Sequence, residues 1–109
     1  MTLSAGQLAQ IEPMLAAVAV EAATLVRADD GDEAGTSLGT TVMMVAALLL
    51  RDNKAADLPP TTGFDDVAAL FRKALAAQKL SAARTVKIAM AFDVAMMTFH
   101  QITLGMVVA

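Results

Sequence analysis

Apolar residues recur at helical spacing along almost the whole chain, and the polar breaks between the periodic stretches divide it into four predicted helices. In the first, Leu8, Ile11, Leu15, Val18, Ala22 and Leu25 follow one another at intervals of three and four, which places all six on one stripe. Ser4 with Gln7 three residues later has the form of a capping box, so this helix is predicted from Ser4 to Arg27. Pro13 lies inside it and removes the bond to Ala9, which predicts either a kink there or a true start near Glu12. The segment Asp29 to Gly35 then combines two glycines with four carboxylates that repel one another, and it reads as a loop.

A second helix is expected from Ser37 to Asn53. Leu38, Val42, Val45 and Leu49 form its stripe, but Met43, Met44, Leu48 and Leu50 fill the other sides, and a helix apolar all round is buried or lies at a subunit interface. Residues Asn53 to Thr62, with Pro59 and Pro60, end it and form an extended connector. Thr62 and Asp65 repeat the capping pattern for a third helix, predicted from Phe64 to Lys79, with Asp65 and Asp66 where the helix dipole favours negative charge. Between Phe64 and Leu104 there is neither glycine nor proline, so the alternatives are one helix of roughly 60 Å or a corner at Lys79-Leu80-Ser81. Such a long rod would protrude from a domain whose radius of gyration should be about 13 Å, which favours the corner, with Ser81 capping a fourth helix from Ala82 to Val107.

The fourth helix carries two apolar stripes. Ile88, Phe92, Ala95, Phe99, Ile102 and Met106 follow one another at alternating steps of four and three, and so do Met90, Val94, Met97, Gln101 and Leu104. At 100° per residue the two lines are roughly 160° apart. One can pack on the chain's own helices, and the other then needs a further layer, which self-association supplies most economically. The expected fold is all-α, a small four-helix bundle in a single domain, residues 1–109, with a merged third and fourth helix as the alternative. Its core should contain Leu15, Val18, Leu25, Val45, Leu49, Leu70, Phe71, Phe92 and Phe99.

Composition narrows the function classes. Hydrophobic residues make up 57% of the chain and charged residues 17%, which excludes a disordered tail, although 24 alanines keep the core thin. There is no cysteine, so disulfides, thiolate nucleophiles and cysteine-held metals are excluded. A net charge of −3 gives no general pull toward nucleic acid or anionic lipid, and the basic run Arg72, Lys73, Lys79, Arg84 and Lys87 lacks stacking aromatics. It reads as a solvated face or as a surface meeting the acidic segment of another copy. No signal peptide fits the N-terminus, and the longest uninterrupted apolar run, Val42 to Leu50, has nine residues, so no membrane span is expected.

Candidate chemistry is sparse. Asp30, Asp32 and Gly35 match three positions of a calcium loop, but Ala34 and Thr41 fall where ligands are required, so a solvated turn is the better reading. His100 is the sole histidine; Asp93 precedes it by seven residues, about 10 Å along a helix, too far for a base-orienting hydrogen bond. No metal site or cofactor is expected, and no common nucleotide-binding, zinc-protease or hydrolase motif occurs. The chain is therefore expected to act by association rather than catalysis, as a homo-oligomer or with a protein partner, through Met90, Val94, Met97, Gln101, Leu104, Met43 and Met44. The alternative is a bundle enclosing an apolar small molecule among Met96, Phe99 and His100.

Overall fold

A computed structural model describes residues 2–108 and, of these, every side chain but those of Leu104 and residues 106–108. The expected interface residue Leu104 and the stripe residue Met106 thus lie outside the described side chains. Helices occupy 82% of the chain, and among the described residues there is no strand, so the fold is all-α. The four helices are α1 (Ala5–Arg27), α2 (Gly31–Ala55), α3 (Phe64–Ala76) and α4 (Ala82–Val108). The longest dimension is 42 Å, which leaves no room for a merged α3 and α4.

Helix ends follow from specific caps. Ser4 accepts from the Gln7 backbone N–H at 3.2 Å while the Gln7 side chain accepts from the Ser4 backbone N–H at 3.0 Å, so the capping box forms and α1 starts at Ala5, not near Glu12, and continues past Pro13. α2 begins earlier than the sequence suggests. The acidic segment is not a loop: Asp30 caps the helix by accepting from the Glu33 N–H, and Asp32 and Glu33 occupy the first turn, where the dipole favours their charge. The calcium-loop reading falls with the loop. α3 is shorter than expected, and Thr62 does not cap it; Gly63, at φ 92°, takes that position without any side-chain cap. A Cβ on Gly63 would stand 2.7 Å from Leu3 Cδ2, so both the conformation and the space require glycine. The corner between α3 and α4 forms as expected, with Lys79 at φ 55° and the Ser81 hydroxyl accepting from the Arg84 N–H.

α1 packs on α2 and α3, and α4 packs on the same two, which sets the helices in the cyclic order α1-α2-α4-α3. Gln7 near the start of α1 reaches Asp52 near the end of α2, so these two are antiparallel. Thr2 and Asp66 join the starts of α1 and α3, and Arg27 and Gln78 join their ends, so this pair is parallel. Residues 28–30 and 77–81 make tight turns between neighbours, whereas residues 56–63 must cross the bundle diagonal. Buried Asn53 holds that longer connector by donating to the Pro60 and Thr62 carbonyls, each at 3.0 Å.

Leu15, Val18, Val45, Leu49, Phe71 and Phe92 are buried as expected. Phe71 of α3 stacks on Phe92 of α4 with ring centroids 3.9 Å apart and planes 8° from parallel. Leu25, Leu70 and Phe99 are only half-buried, packed against the core rather than inside it. On α4 the buried line runs Ile88, Phe92, Met96 and Thr103, so Met96 and Thr103 take the places expected of Ala95 and Ile102, and Ile102 is exposed. At 100° per residue Phe92, Thr103 and Met96 lie about 40°, 60° and 80° round from Ile88 to one side, while Ala95 and Ile102 lie about 20° and 40° to the other, so α4 sits rotated on its neighbours toward Met96 and Thr103.

By length and composition α1 and α2 would each suffice to cross a bilayer, with a mean hydropathy of 1.4 over an 18-residue window. Isolated polar residues interrupt the apolar runs yet leave the mean at that value, which is why a count of uninterrupted apolar residues predicted no span. A third of each window is buried within the bundle.

Candidate interaction surface

α4 carries two opposite apolar lines by sequence pattern, and the fold uses one of them. Ile88 and Phe92 point inward onto α2 and α3, which leaves Val86, Met90, Val94 and Met97 on the outside, each 55–62% exposed. At 100° per residue these four and Gln101 lie within an arc of about 80°. From Ile88 to Thr103 the sole ionisable groups are Asp93 and His100, and both sit at the edge of the stripe facing α3. The exposed stripe therefore carries no charge of its own over four turns. Such a surface is solvated at a cost, because methionine and valine gain about 1.5–3 kcal/mol each when taken fully out of water.

Met43 and Met44 on α2 are also exposed, at 57% each. Being consecutive they diverge by about 100° around the helix, so they do not form one line as the α4 residues do. Of the residues expected to touch a small molecule, Met96 and His100 line a groove between α3 and α4 together with Phe64, Asp65, Arg72, Asp93 and Met97. Phe99 does not line it. The groove is open to solvent; Arg72 donates to Asp93 across it, and the His100 ring stands edge-on to Phe64 with ring centroids 6.3 Å apart. Asp93 and His100 thus share a groove but each has its own partner, so neither orients the other.

The basic run is partly neutralised within the chain. Arg72 pairs with Asp93, and Arg84 reaches Asp29 at 3.8 Å, which ties the start of α4 to the α1–α2 turn. A second groove lies beside that turn, lined by Val26, Gly31, Gly35, Leu38, Arg84 and Lys87 among others. The carboxyl group with a displaced titration is Asp66: the Thr2 hydroxyl and backbone N–H both donate to it at 2.6 Å, and these bonds hold its pKa below the ordinary value. Among the described residues, no three of His, Asp and Glu come together as a metal site. Sequence periodicity alone located the α4 stripe; the groove beside it could not be read, because it depends on which helix α3 lies against.

Comparison with protein-family models, with curated proteins and with solved structures finds no significant match.

Proposed function

We propose that the chain works as an assembly subunit, a non-catalytic helical bundle that associates with another protein, in the first place with itself, through the outer face of α4. One observation carries this reading: Met90, Val94 and Met97 form an uncharged, exposed line on a helix whose opposite face already fills the core. Contiguous apolar surface of this kind on a small domain marks a contact with another molecule. In this reading α1 and α2 use their apolar stripes on each other and on the core, in water rather than across a bilayer, and no nucleic acid is engaged. An apolar small molecule is the weaker alternative, since Met96 and His100 share a groove that Phe99 does not join.

Light scattering at micromolar concentration tests the proposal, with a dimer or larger species expected for the unmodified chain. Met97→Asp buries a carboxylate only in the assembly, at a cost of several kcal/mol per copy, so the subunits should separate with their helical signal retained. A monomeric unmodified chain overturns self-association. A Met97→Asp chain that loses its helix before releasing subunits overturns the independently folded subunit.

A further inference from the structure

Resting on that reading of α4, we infer that the occupant of the stripe is a second copy of this chain, its α4 antiparallel to the first, in the register that sets Asp93 opposite the partner's His100. Met90, Val94, Met97 and Gln101 are spaced four, three and four apart, the alternation that lets two helices interlock along a seam. Lys87 continues the line at its N-terminal end. Asp93 and His100, seven residues apart, lie along one flank of this seam at the lip of the α3–α4 groove, with Asp65 and Arg72 the charged groups of α3 beside them. Asp93 keeps 34% of its side chain exposed while bonded to Arg72, so a second partner can reach it.

Charge selects among the possible pairings. A parallel pair stacks each seam residue on its own counterpart, which sets Lys87 against the partner's Lys87 and offers no attraction on the flanks. Antiparallel registers that keep the interlocking differ by seven residues. Sliding one way opposes Asp93 to the partner's Asp93, and sliding the other way opposes His100 to the partner's His100. The middle register opposes Asp93 to the partner's His100 twice, by two-fold symmetry. It also packs Val94 against the partner's Met97 and Met90 against the partner's Gln101, and it moves Lys87 to the ends of the seam, where its long chain reaches water. The pairing is complementary because the Asp93 carboxylate can accept a hydrogen bond from the partner's His100, although both copies carry a net charge of −3 with histidine counted neutral.

The absence of cysteine makes the test direct, because each introduced thiol is the sole one. In the middle register the two-fold axis passes level with residues 95 and 96, so the two copies of exposed Val94 stand about 4.5 Å apart along the helix axes and the two copies of residue 90 about 16 Å. Under one mild oxidant Val94→Cys should become disulfide-linked at least tenfold faster than Met90→Cys. Equal or faster linking through Met90→Cys overturns the antiparallel register while leaving assembly through α4 in place. A chain that stays monomeric in light scattering overturns the underlying reading instead. Charge variants give an independent check: His100→Lys should preserve the dimer, and His100→Asp should raise its dissociation constant about tenfold, as two like-charge pairs replace two attractive ones. Identical dissociation constants for the two variants overturn the proposed opposition of Asp93 and His100.

Discussion

α3 and α4 meet through stacked phenylalanines, yet they distribute apolar surface in opposite ways. α3 buries Phe64, Val67, Phe71 and Leu75 on one side and turns Asp65, Arg72 and Lys73 outward, so its chemistry changes with every 100° of rotation. α4 buries Ile88, Phe92 and Met96 and turns Met90, Val94 and Met97 outward, so its chemistry hardly changes. α3 is complete once the bundle has formed. α4 carries apolar surface beyond what the bundle uses, and that excess is what an account of function has to explain.

The comparison breaks most severely if the inner face of α4 is not the part that holds the subunit together. Phe92 is fully buried against Phe71, so Phe92→Ala should lower the unfolding free energy by about 3–5 kcal/mol, whereas half-buried Phe99 should cost clearly less when truncated. Urea denaturation of the two variants checks the order. Equal losses would mean that the core extends further along α4 than its exposure shows. A smaller effect sharpens the picture of α3: Gly63→Ala must hold φ near 92° and displace Leu3 from its start, and it should destabilise the chain by at least about 1 kcal/mol, read as a lowered melting temperature.

The smallest effect is electrostatic. Thr2 holds the Asp66 pKa below its ordinary value, so the carboxylate contributes stability that is present above the unfolded-state pKa and is lost as pH falls through the lower folded one. The stability difference between the unmodified chain and Asp66→Asn should therefore be constant near neutrality and shrink below the usual carboxylate range. Urea midpoints at a series of acidic pH values show it; a difference that persists unchanged in acid would contradict the bond to Thr2.

Helix existence was legible because it rests on local periodicity. Ser4 and Gln7, the corner at Lys79 to Ser81 and the second stripe of α4 all depend on residues within one or two turns of each other. The misread boundaries are at the two ends of α2 and the end of α3, and glycine placement misled at each. Just beyond α2 and α3 the left-handed positions are taken by Asp57 and Lys79 instead of the glycine usual there, while α1 ends at Arg27 as expected. Gly31 and Gly35, meanwhile, lie inside α2, where the sequence pattern suggested a loop. The drift of the buried line from Ile102 to Thr103 was also invisible, because it follows from how α4 lies on its neighbours. The groove uniting Asp65, Arg72, Asp93 and His100 was hidden for the same reason.

Thermal melting at two protein concentrations a hundredfold apart bears most directly on the outer face of α4. Partner binding to the folded chain stabilises it by mass action, so the melting temperature of the unmodified chain should rise with concentration while that of Met97→Asp stays fixed. A melting temperature of the unmodified chain that does not move would contradict assembly through α4.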